Sequence, residues 1–228
     1  MNRWIRSIMA IGLSSIAVCA SADEYDDIAP YLGADFKQSY MKGHGAWKSI
    51  FPGTYPGAAF YVGTKFHQYF AIELGYDWSM HQKKEWSLPA GSAFFATPVQ
   101  GTEGSTRVER NGAYLDVLGL LPIADCLEMM GSIGMGWVQT KIESNFSTMT
   151  TPESSALASV AGKGRTVLRV GIGASYMVTD VVGVRAKMGW EGTSALKLVG
   201  NQAFSTYGYD TKGFKGTTAF SAGAFFKF

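Results

Sequence analysis

Three histidines, His44, His67 and His81, and two cysteines, Cys19 and Cys126, are the side chains here best suited to nucleophilic, acid–base or metal chemistry. Nucleophilic hydrolysis needs a serine held beside a histidine, and none of the three histidines has a serine two residues downstream. Asp77 lies close to His81, where two solvated charges are the simpler reading. Metal binding needs several ligands at short, regular spacing, and scattered His and Cys provide none. The 28 glycines fall in strand-like stretches, and no glycine-rich loop opens a helix to cradle a phosphate. The expectation is therefore no catalytic residue, no cofactor and no metal. Charge is what remains. Glu73, Asp116, Arg169, Arg185 and Lys187 stand at alternating positions within otherwise apolar stretches. If those stretches close on themselves, the five become an interior network of opposite charges. Its roles would be fold-stabilising salt bridges or, alternatively, a gate that opens when the pairs rearrange.

The elements that must position these charges follow from composition and periodicity. The chain has 228 residues, 46% hydrophobic, 17% charged and 14% aromatic. It is too apolar for a disordered chain. After the N-terminus it has no apolar run of the 18 or more residues that a membrane helix requires. A formal charge of +2 points to no nucleic-acid partner.

The first 22 residues form a separate unit. Arg3 and Arg6 precede an apolar stretch from Ile8 to Val18, and Ala20-Ser21-Ala22 is a small-x-small cleavage site. This is the pattern of a secretory signal peptide over residues 1–22. The apolar run is short for a membrane anchor, and Val18 before Cys19 is unsuited to a lipoprotein signal. Removal of Arg3 and Arg6 leaves 18 bases against 18 acids. It also leaves Cys126 without a partner for an internal disulfide. An inert small side chain at a turn is the preferred reading of Cys126, ahead of a catalytic thiol.

Residues 23–228 read as eight strands with period two. In Phe70, Ile72, Leu74, Tyr76 and Trp78 every second residue is large and apolar, while Ala71, Glu73, Gly75 and Asp77 lie between them. Comparable stretches begin near Leu32, Ala58, Ala113, Leu127, Leu168, Val182 and Phe220. The fit is poorest in the fourth, where Leu118 and Leu120 fall on the wrong face. The opposite face mixes Asp35, Lys37, Tyr61, Tyr114 and the five charges above with Gly and Ser. Connections alternate: short near His67-Gln68, Pro122 to Cys126 and Thr179-Asp180. Long ones run from Met41 to Gly57, Ser79 to Glu109, Thr140 to Gly164 and Gly192 to Gly213. Such alternation suits an all-β, eight-stranded antiparallel up-and-down transmembrane β-barrel.

A secreted barrel would hide the apolar face inside and a transmembrane barrel would turn it outward. Three features favour the second. Tyr40, Trp78, Trp137 and Trp190 end upward strands, while Phe66, Phe70, Tyr176 and Phe228 gather at the other end, as aromatic belts at two membrane interfaces would. Eight steps from Phe70 to Trp78 cover about 26 Å along the strand, or about 20 Å vertically when tilted. An apolar cavity could not accept the charged face cheaply, whereas an interior network could. Closure also removes the exposed edges of the first and last strands.

The signal peptide, the eight strands, the long outer loops and the closing stretch Phe220-Ser-Ala-Gly-Ala-Phe-Phe-Lys-Phe228 resemble small bacterial outer-membrane barrels of the OmpA-like and opacity-protein type. Val178-Thr179-Asp180-Val181 followed by Val184-Arg185-Ala186 is similar to that family's sixth-to-seventh-strand turn. The resemblance implies a Gram-negative outer-membrane location, contact with outer-membrane lipid, and a terminal signal carried by Phe220, Phe226 and Phe228 for the barrel-assembly machinery. The expectation is a barrel without a peptidoglycan-binding domain, so no cell-wall anchor is implied.

Eight strands enclose a lumen that side chains can just fill. Function then falls to the outer loops. Trp86, Phe94 and Phe95 make the second loop unusually apolar, which marks either a contact surface or loops packed together over the barrel mouth. The resemblance implies a structural or adhesive role, with a host-surface or matrix ligand as the further partner. A narrow channel or passive transporter for small or hydrophobic solutes is the alternative. An enzyme acting on outer-membrane lipid is the remote one.

Overall fold

The computed structural model describes residues 28–43, 51–88, 102–148, 156–161, 165–192 and 214–228. Among the described residues there are ten strands: β1 (Ala29–Gly43), β2 (Thr54–His67), β3 (Phe70–Ser79), β4 (Gln82–Leu88), β5 (Thr102–Ala124), β6 (Leu127–Thr148), β7 (Ala156–Ala161), β8 (Arg165–Met177), β9 (Val182–Glu191) and β10 (Phe214–Lys227). Eight of them form a ring in the order β1-β2-β3-β5-β6-β8-β9-β10. β10 pairs antiparallel with β1 from Tyr31↔Lys227 to Gly43↔Phe214, and β5 pairs with β6, so no edge is left open around the ring. Closure matters because an unpaired backbone group in hydrocarbon costs several kcal/mol.

Period-two alternation sets the two surfaces. Phe36, Phe60, Leu115, Ile133, Met135, Ile172 and Phe226 are exposed on the outside; Ile133 is 58% and Met135 61% accessible. Such exposure would be costly in water and is the expected state of a lipid-facing wall. The short connections are Gln68-Tyr69, Asp125-Cys126 and 178–181. The last is closed by Val178 N–H and Thr179 N–H donating to the Val182 carbonyl at 2.8 and 3.1 Å.

The expected extents of two outer loops are corrected. Strand pairing continues well into the segments read as loops from Ser79 to Glu109 and from Thr140 to Gly164. β4 pairs with the outer part of β5 (Gln82↔Val108 to Leu88↔Thr102), and β7 pairs with the outer part of β6 (Lys141↔Ala161 to Phe146↔Ala156). The four strands make an antiparallel sheet that rises beyond the lipid-facing zone. Thr102 to Val108 of β5 pair with β4, or about 23 Å of strand. The lipid pattern was no guide there, because beyond the bilayer the outward side chains meet water. Lys83, Glu85, Arg107 and Lys141 are exposed, whereas Trp86, Thr106, Val108, Val138 and Thr140 on the inner side are buried.

In β5, Leu118 and Leu120 lie on the face opposite the lipid-facing residues, as the alternation has them, and face inward, 2% and 9% accessible, packed with Ala71 and Met130. The lumen is thus apolar towards the short-turn end and charged above it.

Candidate functional site

The ring directs charged side chains of five strands into the lumen, in two layers. In the layer nearer the short turns, Arg185 on β9 donates through Nε and Nη2 to Asp35 on β1, at 2.9 to 3.1 Å. Its Nη1 bonds Glu73 on β3. The guanidinium also lies over the Tyr61 ring, 3.3 Å from the centroid. Tyr114 Oη donates to Glu73 at 3.1 Å, and Lys187 Nζ stands 3.5 Å from the same carboxylate.

In the second layer Lys37 bridges Asp77 at 2.6 Å and Glu191 at 3.1 Å. Arg169 reaches the same two carboxylates at 2.7 and 2.9 Å, and its Nε lies 3.4 Å from Asp116. Arg110 bonds the other oxygen of Glu191. Lys37, Arg110, Arg169, Arg185 and Lys187 therefore face Asp35, Glu73, Asp77, Asp116 and Glu191, with the signs balanced. Balance is required in a space where an unpaired charge costs several kcal/mol.

Local pairing explains why these residues meet. Glu73 and Asp116 are direct partners on β3 and β5, a like-charge pair that opposes strand pairing by itself. Cations from β8 and β9 relieve it. Asp35 and Arg185 both pair with Gly223, on opposite sides of β10. A Cβ at Gly223 would stand 2.5 Å from Asp35 Oδ1, so only glycine leaves the ion pair room to cross that strand. The same device seats the tyrosines: a Cβ at Gly75, the partner of Tyr114, would lie 2.3 Å from its ring. Between the layers is a void of about 40 Å³, lined by Asp35, Asp77, Asp116, Arg169 and Arg185 among others. That is room for a water molecule beside the Asp77 and Asp116 oxygens that lack direct hydrogen-bond partners.

All five charges singled out in the sequence, Glu73, Asp116, Arg169, Arg185 and Lys187, lie in these layers. Asp35, Lys37 and Asp77 were placed on the inward face without partners. Arg110 and Glu191 were given no place at all. Their signal was present: Arg110, Gly112, Tyr114 and Asp116 continue one alternation, as do Arg185, Lys187, Gly189 and Glu191. It is faint because Arg110 and Glu191 lie at the outer limit of the lipid-facing span, where the apolar alternation that marks it stops.

The aromatic residues Tyr40, Phe66, Phe70, Trp78, Trp137, Tyr176, Trp190 and Phe228 all point outward and are 42–68% accessible. Phe66 and Phe70 stack at 6.4 Å beside the β2–β3 turn, and Tyr40 meets Phe220 edge-on at 6.0 Å. Phe220, Phe226 and Phe228 lie on the outer face at β10. Trp86 is corrected. It belongs to β4 and is 8% accessible, its Nε1 donating to Thr106 Oγ1 at 2.9 Å. The indole is held inside the sheet and is not displayed as a contact. Phe94, Phe95 and His44 lie outside the described residues.

Above the lipid-facing zone, Lys141 Nζ meets Glu143 at 2.7 Å, and this hydrogen bond holds the Glu143 carboxyl below the usual glutamate range. His81 lies 3.4 Å from Glu109, with Arg107 nearby. Among the described residues, no group of three His, Cys, Asp or Glu side chains is arranged to hold a metal ion.

No curated protein matches the sequence. Several solved structures are similar at low identity. The attachment invasion locus protein Ail of Yersinia pestis, solved with the heparin analogue sucrose octasulfate, is 13% identical, with a TM-score of 0.47 over 89% of this chain and 99% of that one. Neisserial surface protein A is 12% identical, with a TM-score of 0.44 over 88% and 97%. The outer membrane protease OmpT of Escherichia coli is 10% identical, with a TM-score of 0.42 over 89% and 97%. The sequence itself matches the outer membrane protein beta-barrel domain over residues 8–228. An eight-stranded closed ring with an oily exterior and an ionic interior, together with that match, makes this chain a member of the outer membrane protein beta-barrel family, resident in the outer membrane.

Proposed function

We propose that this protein is a plugged, non-enzymatic barrel that acts at the cell surface through its projecting sheet, in adhesion or contact with a host-surface or matrix ligand. The observation that carries the reading is the balanced ionic network, which joins β1, β3, β5, β8 and β9 across the lumen and leaves only about 40 Å³ between its layers. A hydrated ion has no continuous path through such a space. The described parts of the structure then offer the environment one elaborated surface, the sheet of β4 to β7. Its exposed side carries Lys83, Glu85, Arg107 and Lys141, a charged platform that covers about 13 Å along the strands.

Export by a cleaved segment over residues 1–22 and insertion by the barrel-assembly machinery complete the proposal, with Phe220, Phe226 and Phe228 as the sequence it reads. Two measurements test it. Purified protein in planar bilayers is expected to give no stepwise conductance. Cells displaying the K83E/R107E/K141E variant are expected to bind immobilised matrix or cultured cells at least tenfold less than wild type. Open-channel steps would overturn the plug, and unchanged binding with normal surface display would overturn the contact role.

A further inference from the structure

The lumen below the charge layers is unlike the rest. At the short-turn end the barrel holds a cavity of about 260 Å³. Its walls include Tyr31, Ala71, Leu118, Leu120, Met130 and Phe225, contributed by five strands. Four of these form one buried apolar cluster against which Tyr31 packs. Arg185 roofs the cavity, with its charge already committed to Asp35 and Glu73. The turn residues Asp125 and Cys126 line the mouth, so the opening is on the periplasmic side.

Stability alone does not call for this space. Higher up, side chains fill the lumen more closely, around voids of about 40 and 20 Å³. Here small residues, Ala29, Ala71 and Ser175, stand where larger ones would close the gap. An apolar void hydrates poorly because water finds too few partners in it, and about 150 Å³ is enough to hold benzene. The space therefore suits a single ring with a short substituent, or a short alkyl chain.

The mouth defines the ligand's charge. Lys65 on β2 and Glu128 on β6 bond each other, although their strands are separated by two others around the ring, so the pair lies as a bar across the opening. Lys227 and Asp125 add one charge of each sign. The rim is balanced, the walls are apolar and the roof is neutralised. A charged ligand would have to surrender its hydration for no uncommitted partner of opposite sign deep in the pocket.

We propose that the periplasmic end of the barrel is a binding pocket for an uncharged apolar molecule of about single-ring size, admitted past the Lys65–Glu128 bar. The pocket is closed above by the ionic layers, so it is a one-ended receptacle and not a route to the cell exterior.

The test uses the full barrel in lipid nanodiscs, with methyl-labelled methionine and leucine, and toluene as the probe. Binding is expected to give cross-relaxation from the toluene ring to the inward Met130 and Leu118 methyls, distinct from the contacts that membrane-dissolved toluene makes with outward Met129 and Met135. Replacing Ala71→Phe should abolish the inward contacts. Ser175→Leu is a second filling variant in case the first does not fold, as judged by the heat-dependent gel shift. Opening the bar with E128Q should speed probe exchange several-fold. Benzoate and benzylammonium should bind at least tenfold more weakly than toluene. Contacts confined to Met129 and Met135, inward contacts unaltered in a folded filling variant, or equal binding of either charged analogue would overturn the proposal.

Discussion

Replacing Arg185 with alanine tests whether the ionic interior holds the barrel together. The side chain is 3% accessible, and its partners Asp35 and Glu73 are 2% and 0% accessible. The substitution removes the hydrogen bonds to both carboxylates and the cation held over Tyr61 at 3.3 Å. Asp35 would keep Ser221 Oγ at 3.3 Å, and Glu73 would keep Tyr114 and the more distant Lys187. Glu73 would keep one cation, and Asp35 would lose the one it is paired with. Breaking a buried pair by removing one partner costs about 3–5 kcal/mol, chiefly because the other charge is stranded. The ring–cation contact adds about 1–2 kcal/mol when desolvated. We expect a loss of about 4–7 kcal/mol, read as a lower urea midpoint by tryptophan fluorescence in lipid vesicles. The triple variant D35N/E73Q/R185M, which removes both signs together, should recover most of it, since neutral replacement of a buried pair is often tolerated. A loss below about 1 kcal/mol in R185A, or a triple variant no better than the single, would show that stranded charge is not what the arginine prevents.

Three further outcomes follow from the geometry. Gly223→Val should cost about 1–3 kcal/mol, because its side chain enters the path of the Asp35–Arg185 pair, whereas Ala222→Val on the lipid side of the same strand should cost little by the same unfolding assay; equal costs would remove the clearance argument. Ile133→Arg, 58% accessible on the lipid face, should lose about 2–4 kcal/mol in vesicles, whereas Gln139→Arg beyond the lipid zone should be neutral; equal losses would contradict the assigned orientation. The Glu143 carboxyl should titrate below the ordinary glutamate midpoint by NMR. A lowered folded value means that its small stabilisation is present above the unfolded midpoint and fades as pH falls through the folded one. K141A should return the midpoint to the ordinary value, and an unmoved midpoint would remove the Lys141 bond as its cause.

Much of the architecture could be read from residue order because period two is a local property. Phe70, Ile72, Leu74, Tyr76 and Trp78 declare one face without reference to any other strand, and short turns at Gln68-Tyr69 and Asp125-Cys126 declare the antiparallel hairpins. A free choice of inside and outside was resolved by the charges, since Glu73 and Arg185 could not both face lipid. The local pattern failed where the solvent on the outward side changed. Beyond the bilayer Lys83 and Arg107 replace apolar residues, so continuing strands look like loops, and Trp86 fits a contact surface as well as packing over the barrel mouth. Leu118 and Leu120 looked misplaced for a related reason, because an inward apolar pocket breaks the rule that the lumen is polar.

Residue order alone was enough for the class of barrel, the face of each strand that looks outward and the inward direction of most of its charges, because each depends on one strand and the medium on either side of it. Which charges pair with which emerged only from the folded ring. Arg185 meets Asp35 across 150 residues, and Arg110 meets Glu191 across 81. Those meetings depend on the stagger of eight strands around a closed ring and on the absence of a Cβ at Gly223, and neither register nor clearance is written in the alternation of a single strand.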